Sequence, residues 1–318
     1  MNKKLICLFL ALACVMSLCL TGCNKPVDTT ESTAESTTGT TPTTAETTPT
    51  EEDTSWKADN TLKILAIGNS FSVDCMQYVY EIAKAAGVRN VKLGNLYIGG
   101  CSLARHLSNA QEDKAAYTYY TYKDGKWVTE KNYKMSDAVK SEDWDFISFQ
   151  QESGTSGKPD TYNDLNELMP IVEGLCTNKN VEFIWHMTWA YQADSTNEKF
   201  DKYQWKQDVM YQSIVDAVKE KIVSNGKITR IVPNGTAIQN ARTSYLGDTL
   251  TRDGYHLSKD EGRIIAGLSM VATTVGIDWE KINLFIITID KKFLDVAFES
   301  VKNAIENPYQ ITQSKITE

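Results

Sequence analysis

Histidine is scarce in this sequence, with 3 in 318 residues. Any imidazole chemistry therefore falls to His106, His186 or His256. None of them stands in a His-x-His or His-Glu-x-x-His spacing, and there is no Cys-x-x-Cys pair. A zinc centre thus lacks its usual ligands, and no metal or other cofactor is expected. Cations are also short, with 33 Lys and Arg against 41 Asp and Glu and a formal net charge of -8. Nucleic acid needs clustered cations to neutralise its phosphates, so that class of partner is set aside. Of the 7 cysteines, Cys7, Cys14, Cys19 and Cys23 crowd the N-terminus. Cys75, Cys101 and Cys176 remain, an odd set that implies no disulfide framework and reads as small buried hydrophobes.

Long apolar runs are lacking except at the start. Met1-Asn2-Lys3-Lys4 is basic, Leu5 to Leu20 is apolar, and Leu20-Thr21-Gly22-Cys23 sets small residues before a cysteine. That order is a secretory signal. Its end resembles the bacterial lipobox. The resemblance implies cleavage before Cys23, acylation of its thiol, and an exported protein anchored by lipid to the cell membrane and facing outside. A plain signal peptide or an anchor helix is the alternative. Asn24 to about Ser55 is Thr, Ser, Glu and Pro with almost nothing apolar. Such a segment cannot bury enough surface to offset backbone ordering. The expected organisation is a signal peptide at 1–22, a disordered spacer at 23–57, one domain at 58–310 and a tail at 311–318. The sequence does not fix an oligomeric state.

Within the domain, short apolar runs alternate with helical patterns. Leu62 to Ile67, Val91 to Ile98, Trp144 to Phe149, Val181 to Trp189 and Ile228 to Val232 read as strands. Asp74 to Ala86, Leu165 to Leu175, Tyr203 to Val223 and Asp260 to Val275 carry apolar residues at helical spacing. Tyr117 to Val128 alternates aromatic and polar residues around Lys123-Asp124-Gly125, a hairpin pattern. The aromatics there fit cross-strand packing, with a sugar-stacking face as the alternative. The alternation predicts an α/β fold, a three-layer α/β/α sandwich on a mainly parallel five-stranded sheet. Ligands in such sheets bind beyond the carboxyl ends of the strands. Asn69-Ser70, Gly99-Gly100, Gln150-Gln151 and His186 sit at those ends.

Gly68-Asn69-Ser70-Phe71-Ser72 is a strand-to-helix turn. A serine there is either a helix cap or a hydroxyl exposed beside backbone N–H groups that can hold an oxyanion. Serine becomes a nucleophile when an imidazole takes its proton, and that imidazole needs a carboxylate to fix its tautomer. Asp253-Gly254-Tyr255-His256 offers both groups in one short segment. His106, just past the glycines, either lines the pocket or is structural. His186, beside Trp185, reads first as a satisfied core histidine.

These blocks resemble the SGNH (GDSL-like) hydrolases over roughly Leu62 to Val275. Gly68-Asn69-Ser70 is similar to their Gly-Asp-Ser block, and Asp253-Gly254-Tyr255-His256 to their terminal Asp-x-x-His block. Closest is a bacterial lipoprotein branch with Gly-Asn-Ser-Phe-Ser, Tyr-Ile-Gly-Gly, Gln-Gln and Asp-Gly-Tyr-His. The resemblance implies a serine esterase with Ser70 as nucleophile, His256 as base and Asp253 as its orienting carboxylate. It places the Ser70 and Gly100 amides at the oxyanion. The family's third block, Gly-x-Asn-Asp, is replaced by Gln150-Gln151, so one of these amides is the expected third oxyanion donor, with Gln151 favoured. Asn69, His106 and His186 are candidate substrate contacts. The expected substrate is an ester-bearing small molecule or glycan, first a carbohydrate O-acetyl ester. A surface glycan-binding protein that keeps the fold without turnover is the competing reading.

Overall fold

The computed structural model describes residues 56–284 and 290–318. The expected signal peptide, the lipidation site Cys23 and the spacer up to Ser55 lie outside the described residues. Trp56 and Lys57, assigned to the spacer, open a short helix, α1 (Trp56–Asp59).

Seven strands form one sheet: β1 (Thr61–Gly68), β2 (Asn90–Tyr97), β3 (Tyr117–Lys123), β4 (Lys126–Tyr133), β5 (Phe146–Phe149), β6 (Glu182–His186) and β7 (Ile228–Val232), in the order β4-β3-β2-β1-β5-β6-β7. β2, β1, β5, β6 and β7 are mutually parallel, as the alternation predicts. The sheet nevertheless has seven strands and not five, because the hairpin β3–β4 pairs antiparallel with β2. Without it β2 would be an edge with unpaired N–H and C=O groups. Asp124 and Gly125, both at positive φ (51° and 78°), supply the tight turn between the two strands.

Leu62, Ile64, Leu65, Ala66 and Ile67 are all buried, which is why β1 reads as an unbroken apolar run. Helices cover both faces. α2 (Ser70–Met76), α3 (Val79–Ala85), α8 (Asn234–Arg242), α9 (Glu261–Thr274) and α10 (Lys291–Glu306) pack together, and α4 (Leu103–Gln111), α5 (Met135–Lys140) and α6 (Leu165–Leu175) form a second group. α7 (Gln207–Val218) leads towards β7. The chain leaves β1 for β2 on one side and returns to β5 on the other. That reversal opens a crevice at the carboxyl ends of these strands.

Three local expectations are corrected. The helix expected from Asp74 to Ala86 starts earlier, at Ser70, because the Asn69 side chain caps it, and it breaks between Met76 and Val79. The single helix expected from Tyr203 to Val223 is a 3₁₀ turn (Glu198–Tyr203), two residues at positive φ (Gln204 and Trp205), α7, and a wide terminal turn (Lys219–Val223). Residues 311–318 are tied to the domain and do not trail from it. The Thr312 amide donates to Asn240 Oδ1 at 2.7 Å, and the Tyr245 amide donates to the Ile316 carbonyl at 3.0 Å. Cys75, Cys101 and Cys176 are buried and unpaired.

Asp145, just before β5, accepts the Lys63 amide at 2.8 Å. Burial pushes its pKa from 3.8 up to about 6, against the lowering effect of Lys63. The folded state therefore holds this proton where the unfolded chain has released it. The contribution is fully present at low pH and is lost as pH rises through about 6. In urea melts, Asp145→Asn should gain on the wild type between pH 4 and pH 7, and a stability gap constant with pH would refute this.

Candidate active site

At the end of β1 the chain turns into α2. Asn69 Oδ1 accepts the Phe71 amide at 3.0 Å, capping the helix. Ser72 is buried, with its hydroxyl held between the Asn69 carbonyl (2.8 Å) and Asn95 Oδ1 (2.9 Å). The two serines of the turn thus differ. Ser72 is structural, and Ser70 carries no capping duty.

Ser70 Oγ lies 2.8 Å from His256 Nε2, and His256 Nδ1 lies 2.7 Å from Asp253 Oδ2. The Asp253 carboxylate can only accept, so Nδ1 carries the proton and Nε2 is left bare towards the serine hydroxyl. Asp253 Oδ1 meanwhile accepts the His256 amide at 2.8 Å and the Tyr255 amide at 3.3 Å, so one carboxylate both shapes the turn and aims the ring. Partial burial pushes the Asp253 pKa up, but the bonds from His256 outweigh it and hold the carboxyl below its usual value. The turn needs Gly254. Its φ is +86°, and a Cβ there would stand 2.8 Å from Ser195 Oγ.

Beneath the turn runs a one-way chain of buried hydrogen bonds. Asn234 Nδ2 meets His186 Nε2 at 2.9 Å, and His186 Nδ1 meets Gln150 Oε1 at 3.2 Å. Gln150 Nε2 donates to Asn69 Oδ1 at 2.9 Å, and Asn69 Nδ2 donates to the Cys101 carbonyl at 3.0 Å. An accepting Gln150 oxygen requires Nδ1–H on His186, which leaves its Nε2 to accept from Asn234. The ring is neutral, and burial pushes its pKa down to about 3.

This chain corrects several expectations. Gln150 is spent on Asn69 and His186 and does not face an oxyanion. Gln151 donates to the Thr161 carbonyl at 2.5 Å and to its hydroxyl at 3.0 Å, while its oxygen accepts the Glu152 amide at 2.7 Å and the Leu103 amide at 3.2 Å. Neither glutamine lines the cleft at Ser70. Asn69 and His186 are buried with their polar atoms committed, and they are not substrate contacts. His106 is buried beside the hairpin, with Nδ1 3.0 Å from the Tyr117 hydroxyl, and burial lowers its pKa to about 3. Gly99 and Gly100 do line the cleft, and Gly100 has φ +59°.

No local pattern singles out Asp74. It lies one helical turn after Ser70 and is fully buried. Its carboxylate accepts the Leu257 amide at 2.9 Å, Arg252 Nη1 at 3.1 Å and Arg263 Nε at 2.8 Å. Arg252 and Leu257 bracket the Asp253–His256 turn, so α2 grips the loop at both ends. Trp189 adds a second bridge. It stacks on Phe71 at 4.2 Å and donates to the Tyr255 carbonyl at 2.8 Å. Glu152 and Lys199, paired at 2.8 Å, stand on the cleft wall and also went unread.

A family model for a domain of unknown function, DUF4886, matches residues 63–304. The chain belongs to the DUF4886 family. A family member from Bacteroides uniformis, known from its crystal structure, is 39% identical, covering 80% of this chain and 98% of its own, with a TM-score of 0.76. Weaker likenesses include an SGNH-hydrolase candidate from Slackia heliotrinireducens, with a TM-score of 0.43, 18% identity, and cover of 67% of this chain and 98% of that one. A catalytic mutant of an acetylxylan esterase from Geobacillus stearothermophilus gives a TM-score of 0.41 and 13% identity, covering 69% of this chain and 95% of that one. Among curated proteins none matches the sequence. Overlays this loose leave the chemistry of this DUF4886 protein to its own geometry.

A structural duty for Gln150 is separable from an oxyanion duty. Gln150→Ala strands the buried His186 Nδ1–H and should cost about 1–3 kcal/mol of stability in denaturant melts. A variant with unchanged stability would return Gln150 to the oxyanion candidates.

Proposed function

We propose that this DUF4886 protein is a serine esterase of the SGNH type. The observation that carries the proposal is the continuous line from Asp253 through His256 to Ser70, at 2.7 and 2.8 Å. His256 Nε2 takes the Ser70 proton as Oγ attacks the ester carbonyl. The oxyanion falls to the backbone N–H groups of Ser70, at the unsatisfied first turn of α2, and of Gly100. His256 then gives its proton to the leaving alcohol. Water, deprotonated by the same nitrogen, attacks the acyl-enzyme, and the carboxylic acid and Ser70 hydroxyl are released. Asp253 stays ionised and fixes the ring throughout.

The preferred substrate is a carbohydrate O-acetyl ester. Export and a lipid anchor at Cys23 would bring the site to extracellular glycans, and the Leu20-Thr21-Gly22-Cys23 sequence supports that placement. One observation favours a second reading, a glycan-binding protein without turnover. Both glutamine amides are committed elsewhere, which leaves the oxyanion two backbone donors, and each such donor is worth about a hundredfold in rate or more.

A fluorophosphonate probe separates the two. The esterase reading expects labelling at Ser70 and acetate release from p-nitrophenyl acetate that falls at least about a thousandfold in Ser70→Ala. Folded wild type that neither labels nor releases acetate would leave the binding protein. The anchor is tested separately. Cys23→Ala should abolish palmitate incorporation in cells and shift the protein away from the membrane fraction, and unchanged labelling would end the lipoprotein reading.

A further inference from the structure

The cleft at Ser70, of about 550 Å³, has an unusual lining. Among the described residues Val73 is its one aliphatic side chain. A fatty acyl chain or a lipid alcohol needs an aliphatic trough, and the apolar surface here comes from tyrosine rings and one valine. Its ionic groups are already matched. Glu152 pairs with Lys199 at 2.8 Å, and Asp74 pairs with Arg252 at 3.1 Å and Arg263 at 2.7 Å. A charged substrate would have to break one of these pairs to find a counter-ion.

What stays unspent is phenolic. Four tyrosines lie along β3, and three have bonded hydroxyls: Tyr117 to His106 (3.0 Å), Tyr119 to Ser141 (3.5 Å) and Tyr122 to Glu81 (2.6 Å). Tyr120 alone has a hydroxyl without a protein partner among the described residues, and Tyr120 is the one that lines the cleft. Its neighbour Tyr97 is in the same condition. The pairing of Asn95 with Tyr120 and of Tyr97 with Thr118 puts Tyr97 and Tyr120 on one face as diagonal neighbours. Their rings meet edge to face at 5.7 Å, and both are half-buried. Tyr97 is followed by Ile98, Gly99 and Gly100, so the aromatic pair stands three residues from the oxyanion glycine.

We propose that Tyr97 and Tyr120 form the subsite for an uncharged sugar ring on the alcohol side of the ester. The C–H face of a pyranose packs against an aromatic ring, and its hydroxyls bond the Tyr97 and Tyr120 phenols. This rests on the esterase reading for where the ester lies, but the binding part of its test does not. The hairpin β3–β4 is then a specificity element added to the edge of the hydrolase sheet.

The test uses the full chain. Binding of acetylated xylo-, manno- and gluco-oligosaccharides to Ser70→Ala is compared with binding to Ser70→Ala/Tyr120→Ala and Ser70→Ala/Tyr120→Phe. Acetylated oligogalacturonide and p-nitrophenyl palmitate serve as the charged and lipid comparators. At least one neutral glycan should bind, more tightly than either comparator, with affinity at least tenfold weaker in the Tyr120→Ala form and an intermediate loss in the Tyr120→Phe form. In protein with Ser70 intact, Tyr120→Ala should lower kcat/KM for the sugar ester at least tenfold more than for p-nitrophenyl acetate. Equal losses on both esters, unchanged glycan affinity in a folded variant, preference for either comparator, or no binding of any neutral glycan would overturn the subsite. Tyr120-dependent glycan binding in protein whose Ser70 resists fluorophosphonate would keep the subsite and sink the esterase. Ser70 labelling without such binding would do the reverse.

Discussion

The buried chain from Asn234 through His186, Gln150 and Asn69 to the Cys101 carbonyl is the constraint on which the turn at Ser70 depends. It joins the carboxyl ends of β7, β6, β5, β1 and β2 in one direction of donation. A hydrogen-bond chain with a single direction has no slack, since reversing any member strands a buried donor or acceptor. The chain passes through Asn69, which caps α2, and ends on the Cys101 carbonyl, so the helix start and the backbone beside Gly100 are referenced to the same polar core. Its neutrality matters as well. A protonated His186 would present a second donor to Asn234, and burial keeps that state far from neutral pH.

Around this core the fold adds two separable pieces. The Asp253–His256 turn comes from the far end of the sequence and is held to α2 by Asp74 and by Trp189 on Phe71. The β3–β4 hairpin is an addition at the sheet edge, and it completes a cleft wall that the five parallel strands do not provide. The Ser70–His256 line and the tyrosine wall therefore sit on different elements of a common scaffold.

Much of this was legible from residues, for physical reasons. The parallel strands announce themselves as apolar runs because both faces are covered, and the clusters at their ends converge because parallel strands share one direction. The Asp253–His256 pair is local, so its spacing is visible in the sequence. Gln150 and Gln151 were misread because consecutive residues at a strand end point to opposite sides, and each met partners that no local pattern reveals: His186 for one and Thr161 for the other. Asp74 was invisible for the same reason, since its three partners lie more than 170 residues away. The docking of residues 311–318 also turns on distant bonds, to Asn240 and Thr243.

Ser70 and Asp74 are separated by one turn of one short helix, and this has a mechanical consequence. A reacting hydroxyl and the anchor of its base usually belong to different parts of a fold, so breathing of the scaffold alters the gap between them. Here α2 carries Ser70 and, through Asp74, also holds the histidine loop at Leu257 and Arg252. The Ser70–His256 distance is then set by contacts made to the same short helix that carries Ser70.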